Sequence, residues 1–402
     1  MNGDQAIGPT AGGDIERPGS AGPLSGLRIV ELVGLGPGPF AGMVLADMGA
    51  EVLRVDRVSD ARPAADAQGL PPPGGVLHRG KRSVAVDLKR PEGVEVVLRL
   101  AATADALIEV FRPGVAERLG IGPDQCLATN PRLIYGRLTG YGQHGPWSGS
   151  AGHDIDYLAL AGALEPLGRA GLPPTPPINV LGDFAGGGLL LAFGIACAAW
   201  ERTRTGQGQV VDAAMIDGAA MLMAPFYSGR ASGGWGERGT NFIDTGAPFY
   251  DVYETADHKW VAVGAIEPQF HARLLEGLGL TGDAELSAQW DRDRWPTQKA
   301  RLAAVFAARD RDRWCDIFAG TDACVAPALD PVEAPSHPHH VARATFFIND
   351  GSPQPAPAPR FSRTPAARPR PTSRPGADPG ALTDWGFSDD EVRHLQRQGV
   401  LA

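Results

Sequence analysis

Apolar and polar positions along the chain fall into two rhythms. The runs "LRIVEL" (27–32), "AEVLRVD" (50–56), "SVAVDL" (83–88), "ALIEVF" (106–111) and "LIYGRLTG" (133–140) are nearly continuous and rich in β-branched residues, which predicts buried strands. Between them, "GPGPFAGMVLADMG" reads as a Gly-Pro turn entering a helix, and "PEGVEVVLRLAATA" (91–104) spaces its apolar residues for one face of a helix. Strands alternating with helices predict a parallel, open α/β sheet. A long apolar helix over about 186–202 follows, and then "QVVDA" reads as a strand leading into another helix. Past 233–270 the texture changes to short alternating strands, "FYDVYET" and "KWVAVGAI", with polar helices up to 318, the pattern of a smaller α+β domain. From 351 a proline-rich, mostly extended connection leads to "SDDEVRHLQRQG", a terminal helix capped by Ser388.

The expected fold class is therefore α/β, with a large Rossmann-like domain and a smaller α+β domain. The expected boundaries are a loose, disordered tail at 1–23, a large domain at 24–213, a linker at 214–243, the small domain at 244–318, a second linker at 319–341, and a return to the large domain over 342–402.

Composition narrows the function classes. With 402 residues and 43% hydrophobic content the chain can bury the cores of two domains. A net charge of −9, with no basic face interleaved with aromatics, argues against nucleic acid as a partner. The four cysteines, Cys126, Cys197, Cys315 and Cys324, show no CxxC spacing, which predicts free thiols in a reducing compartment, the cytoplasm. The N-terminus lacks the basic start and apolar run of a signal peptide, and the apolar stretch "GGGLLLAFGIACAAW" (186–200) falls short of the roughly 20 residues of a membrane span. Positive charge is bunched in the first third, at Arg54, Arg57, Arg79, Lys81, Arg82, Lys89, Arg90, Arg112 and Arg118, where a small polyanion would find complementary charge.

Four places bear on candidate chemistry. The turn "GLGPG" after the first strand, with Asp56 ending the second, imitates a dinucleotide fingerprint. Pro37 and Pro39, however, remove backbone donors from the turn, and the glycines fall at 34, 36 and 38 instead of the GxGxxG spacing. His153, in "AGHDIDY", follows a Gly/Pro/Ser-rich loop beyond a strand end, where an open α/β sheet places ligands; a structural histidine is equally compatible with the position. Asp183, in "NVLGDFAGGG", stands at the entry to the long apolar helix, as an N-cap or as a carboxylate kept ionised by the helix dipole. Glu267, after the apolar strand "VAVGAI", either orients a histidine or caps the next helix.

The ordered motifs "LSGLRIVEL", "GPGPFAGMVLADMGAEVLRVDR", "RGKRSVAVDLK", "RPGVAERLGIGP", "AGHDIDYLAL", "LGDFAGGG", "RTGQGQVVDAAM" and "AVGAIEPQF" resemble the family III CoA-transferases and, within them, the α-methylacyl-CoA racemases, from about 24 to 350. The resemblance implies that His153 and Asp183 are two bases facing opposite sides of the acyl α-carbon of a CoA thioester, with Glu267 polarising His153 and Asp154 helping to hold it. Backbone N–H groups near "GDF" would stabilise the enolate oxygen. It implies that Arg57, Val86, Asp87, Leu88, Lys89, Arg112 and Arg118 line the nucleotide and pantetheine path, with Arg54 and Arg82 as weaker candidates. Gly152, Ile155, Asp156 and Tyr157 would line the thioester end. It further implies an interlocked homodimer in which Glu267 acts on the partner's site, no cofactor apart from the CoA of the substrate itself, no metal, no membrane partner, and a place in fatty-acid or sterol side-chain metabolism.

Two departures bear on the substrate. The racemases read "GHDINY" and "NMLDGGAP", where this chain has "GHDIDY" and "NFIDTGAP". Asp156 adds a carboxylate near the bases, and Phe242 and Thr245 enlarge the side chains near the acyl path. The rival reading is a CoA-transferase in which Asp183 attacks the thioester as a nucleophile; a non-catalytic CoA-binding scaffold is the third. His153 separates them, since a transferase has no need of a second base.

Overall fold

The structure is a computed structural model that describes residues 21–61 and 75–402. Residues 1–20 of the expected tail lie outside the described residues. In chain order the elements begin β1 (Arg28–Leu32), α1 (Pro37–Asp47), β2 (Glu51–Asp56), β3 (Arg82–Ala85), α2 (Pro91–Thr103), β4 (Ala106–Glu109), α3 (Val115–Arg118), α4 (Pro123–Thr129) and β5 (Ile134–Thr139). There follow α5 (Asp154–Leu160), a π-helix (Val180–Leu189), α6 (Leu190–Thr205), β6 (Gln209–Ala214), α7 (Met215–Leu222) and α8 (Ala224–Ala231). The remainder is β7 (Tyr250–Glu254), β8 (Trp260–Gly264), α9 (Pro268–Leu278), α10 (Trp295–Phe306), α11 (Arg311–Phe318), β9 (Val325–Pro327), α12 (Pro338–Arg343), β10 (Phe346–Asn349), β11 (Ser352–Pro355), α13 (Ala381–Asp384) and α14 (Asp389–Arg397).

The chain forms two compact units: one contains residues up to Arg137, Ala192–Val211 and Pro357–Ala402, the other Leu138–Leu191 and Asp212–Ala356. The main sheet has six strands in the order β3-β2-β1-β4-β5-β6, and the pairs from β3 through β5 are parallel. This is the doubly wound order, whose direction of winding reverses between β1 and β4. Its core sets Val30, Leu53, Val84 and Leu107 of the strands against Val96, Val97 and Leu100 of α2, and Leu382, Trp385 and Phe387 return from the C-terminal segment to close it. The turn after β1 explains the glycines that imitate a dinucleotide fingerprint. A Cβ at Gly34 or Gly38 would lie 2.1 or 2.3 Å from the Val110 side chain, so both are glycine because α1 starts hard against the end of β4.

In the second unit β7, β8 and β9 form an antiparallel sheet, packed through Tyr253, Val261 and Val263 on Leu274, Phe306, Trp314 and Phe318. The division differs from the boundaries expected from sequence. Residues 138–191 belong with the second unit, because Leu158, Ala161 and Ala163 form one core with Ala219 of α7. The stretch expected as a linker at 214–243 holds α7 and α8, the one at 319–341 holds β9 and α12, and the return to the first unit comes at Pro357. The proline-rich stretch begins as β11, paired antiparallel with β10. The apolar helix is also longer than its sequence suggests. The π-helix and α6 are continuous over 26 residues, Val180–Thr205, long and apolar enough by length and composition to cross a membrane, with 39% of its most apolar window buried. The sequence reading stopped at the three glycines 186–188, which tolerate the π geometry and let the helix begin earlier.

Candidate functional site

The loop after β5 ends at His153, which precedes α5 and is exposed. Its backbone N–H donates to Asp156 Oδ2 at 2.9 Å, so the carboxylate that departs from the racemase pattern is occupied in fixing the helix start. Tyr157, one position on, buries its ring edge-on against Tyr141 at 5.0 Å and donates its hydroxyl to the Gly152 carbonyl. The two ends of the turn that presents His153 are thereby tied.

Asp154 is buried. Oδ2 accepts from the N–H groups of Gly182 at 2.7 Å and Asp183 at 2.8 Å, and Oδ1 is buried without a hydrogen-bond partner. The hydrogen bonds of the Asp154 carboxylate thus go to the backbone ahead of and at Asp183, and they occupy two of the N–H groups near "GDF". Only glycine fits at 182: an added Cβ would lie 2.5 Å from Asp154 Oδ2.

Asp183 lies inside the π-helix, which starts after Asn179, and is not the N-cap expected from sequence. Wide π turns are rare and concentrate at functional sites, because they displace side chains from the regular helical track. The Asp183 carboxylate is half-buried and accepts from Asn179 Nδ2 at 3.0 Å. Burial holds its pKa above the usual carboxylate value and the neighbouring Asp154 charge adds to this, while the Asn179 hydrogen bond and His153 oppose it. Asn179 was not anticipated; its position one turn ahead of Asp183 was the available signal.

Glu267 precedes α9, where its carbonyl accepts from the N–H groups of Phe270 and His271, and its side chain is exposed. Among the described residues no hydrogen bond or ion pair joins it to His153. The structure therefore brings His153, Asp154 and Asp183 together and leaves Glu267 apart from them.

Beside these groups the second unit holds a cavity of about 380 Å³, lined chiefly by apolar side chains including Leu158 of α5, Leu181 of the π-helix, Met223, Phe226 and Trp235. Ile155, also expected at the thioester end, is 42% exposed on α5.

The basic bunch of the first unit divides in two. Arg54 is buried against Asp56 at 2.6 Å, Arg79 against Asp47 at 2.5 Å and Lys81 against Glu31 at 2.5 Å, while Arg82 pairs with Asp378 and Asp384. These are internal pairs, so Arg54 and Arg82 are not free to meet a ligand's phosphates. Arg57, Lys89, Arg112 and Arg118 are exposed, and among the described residues they make no ion pair. Arg57 follows β2, Lys89 follows β3 and Arg112 follows β4, so the three stand beyond the carboxyl ends of parallel strands, the edge where open sheets bind ligands. Val86, expected as a lining residue, is instead a core residue bridged to Leu401. Leu88 is partly buried against the same core, and the Asp87 carboxylate accepts from the Lys89 N–H at 3.0 Å. Among the described residues no group of three or more His, Cys, Asp or Glu side chains is arranged to hold a metal ion.

Comparison with known proteins fits this geometry. The family model described as CoA-transferase family III matches residues 24–379. The chain is 49% identical over 386 residues to the alpha-methylacyl-CoA racemase of Mus musculus, covering 94% of this chain and 97% of that protein. To the alpha-methylacyl-CoA racemase of Homo sapiens it is 45% identical over 389 residues, with the same coverage of 94% and 97%. The crystal structure of a CAIB/BAIF family protein from Brucella suis superposes with a TM-score of 0.77 at 26% identity, over 90% of this chain and 99% of that one. The doubly wound sheet, the basic side chains beyond its strands and a match running almost end to end place one conclusion beyond the sequence motifs alone: the chain belongs to the CoA-transferase family III.

Proposed function

We propose that this protein is an isomerase that inverts the α-carbon of 2-methylacyl-CoA thioesters by a two-base proton transfer. The thioester carbonyl acidifies the α-hydrogen; His153 or Asp183 removes it, a planar enolate forms, and the other group returns a proton to the opposite face. The observation that carries this reading is the differing environment of two acid/base groups at one place. His153 is exposed, while Asp183 is half-buried, raised in pKa and anchored through its backbone by Asp154. A carboxylate whose pKa is raised accepts a carbon-bound proton more readily than an ordinary one. Relatives named alpha-methylacyl-CoA racemase at 49% and 45% identity point the same way.

Arg57, Lys89, Arg112 and Arg118 bind the phosphates of CoA, the apolar cavity takes the acyl chain, and CoA enters only as the substrate's thioester, with no resident cofactor. Two copies assemble as a homodimer, for which Leu189, Phe193 and Trp200 supply an exposed apolar stripe along the π-helix and α6, and Glu267 acts on the partner's site. The protein works in the cytoplasm, where its four free cysteines stay reduced.

Incubating the protein with (2R)-2-methylacyl-CoA in D₂O tests the reading. Solvent deuterium at the α-carbon together with loss of chirality is the expected result; recovery of unlabelled (2R)-ester would sink it. Hydroxylamine separates the transferase alternative, since an Asp183 that becomes acylated would be trapped as a hydroxamate visible by mass spectrometry, whereas a proton-transferring Asp183 stays unmodified.

A further inference from the structure

Thr245, in "NFIDTGAP", has φ of +77°, in the left-handed region that β-branched side chains avoid and glycine adopts freely. Its surroundings hold it there from both sides. Asp244 turns its carboxylate back on the loop, accepting from the N–H groups of Gly239 and Asn241 at 2.8 Å each, from Gly246 at 3.3 Å and from Asn241 Nδ2 at 2.6 Å. Lys299 donates to the Thr245 carbonyl and is itself paired with Asp251 at 2.8 Å. Asp251 also accepts the two-pronged guanidinium of Arg169 at 2.8 and 3.0 Å. This pairing accounts for an inverted pattern in β7, where Asp251 faces inward while Val252 is 40% exposed.

The side chain so held is itself unsatisfied. Thr245 Oγ1 is buried and finds no hydrogen-bond partner among the described residues, and Thr245 forms part of the wall of the largely apolar cavity of about 380 Å³. A strained backbone and an orphaned hydroxyl are separate costs, and a glycine would remove both. Strain of this kind persists where rigid surroundings over-determine it, and it gathers at ligand clamps.

We propose that Thr245 is a specificity-determining residue of the acyl cavity, its hydroxyl completing its hydrogen bonding with an oxygen carried on the acyl chain beyond the α-carbon, a hydroxyl or a carbonyl. A turn about Cα–Cβ to another staggered rotamer moves Oγ1 relative to the methyl and lets a bound chain supply the partner that the protein lacks. The proposal rests on the acyl-CoA reading of the site, and it predicts selectivity for oxygenated over plain hydrocarbon chains.

Calorimetric titration of the full-length protein with 2-methyldecanoyl-CoA and a series of its monohydroxylated derivatives, the hydroxyl moved along the chain, reads this directly as Kd. The unsubstituted protein should bind at least one hydroxylated ester about three- to tenfold more tightly than the parent, the amount expected of one neutral hydrogen bond. Thr245→Val, which keeps the branched shape, should erase that difference, and Thr245→Ser should keep it. Thr245→Gly serves as a second variant that relieves the strain; it should fold with an unchanged or higher Tm and show no preference. Equal Kd values across the series for the unsubstituted protein, or a preference that survives in Thr245→Val, would overturn the proposal. Absence of α-deuterium exchange with the parent ester would instead remove the racemase reading, and a Thr245-dependent Kd would stand without it.

Discussion

In the first unit Glu31 and Lys81 lie 2.5 Å apart on side chains that solvent does not reach, and Arg54 with Asp56 and Arg79 with Asp47 repeat the arrangement nearby. In the second unit Asp183 is half-buried, with the amide of Asn179 as the hydrogen-bond donor to its carboxylate among the described residues, and Asp154 beside it is met by two backbone N–H groups. Burial pushes the Glu31 pKa up and the Lys81 pKa down, and their mutual attraction and hydrogen bond work against both shifts. Asp183 is pushed up by desolvation and by the neighbouring Asp154 charge, and Asn179 and the neighbouring His153 oppose that rise without cancelling it. Where a buried acid is bonded directly to a base, charge fixes a fold; where its only direct partner is a neutral amide and the nearest base lies on a solvent-exposed turn, the proton becomes movable and chemistry is open to it.

The largest effect should come from removing the movable protons. His153→Ala and Asp183→Ala are each expected to lower racemisation by about 10²- to 10⁴-fold while CoA-ester binding survives, measured by loss of chirality and by calorimetry. Either variant inverting at near the unsubstituted rate would erase the contrast between the two regions. Next, Lys81→Met leaves Glu31 buried and uncompensated. It should cost about 3–5 kcal/mol in denaturant unfolding, and Glu31→Leu/Lys81→Met should recover much of that loss, because an apolar pair of similar volume needs no countercharge.

His78 sharpens the comparison through pH. Burial, with Arg54 and Lys81 close by, lowers its pKa from 6.5 to about 3, and its Nδ1 is buried without a partner. The folded protein keeps it neutral while the unfolded chain binds a proton below pH 6.5. Its contribution to stability is therefore complete above that pH and is lost as pH falls toward about 3. The expected slope is at most about 1.4 kcal/mol per pH unit. In His78→Phe, urea unfolding across this window should show a flatter acid limb; an unchanged slope would mean that His78 is not held neutral.

The smallest effect concerns the site itself. Since Asp183 must be ionised to take a proton, its raised pKa moves the acid limb of kcat/KM above the ordinary carboxylate range. Asn179 opposes that rise, so Asn179→Ala should displace the limb to still higher pH with little change in the plateau. A limb that stays in place would remove Asn179 from the machinery.

Much of this was legible in the residues. Continuous apolar runs located β1 through β5 within a residue or three of their observed ends, because strands buried on both faces leave no other reading of such runs. Ser388 marked the start of α14 because its capping pattern is local, and the order of motifs identified the family over nearly the whole match. The residues His153 and Asp183 were visible as types in suggestive places. Their neighbours were not: Asp154 bonds to Gly182 and Asp183 across 28 and 29 positions, a contact that no local pattern encodes.

By itself, then, the sequence determined what depends on periodicity and on the chemistry of single residues. It set the parallel α/β sheet, helix caps such as Ser388, and the His and Asp types that the proposed α-proton transfer calls for. Only the tertiary structure decided which charges are spent inside the protein. Arg54, Arg57, Lys81 and Lys89 look alike along the chain, yet two are buried against acids and two are exposed beyond strand ends. The same holds for Thr245, an ordinary residue in a list of letters, whose positive φ and buried hydroxyl belong to a loop that Asp244 ties locally and Lys299 reaches from a distant part of the chain. Ionisation and strain depend on what surrounds an atom, and those surroundings are assembled by folding.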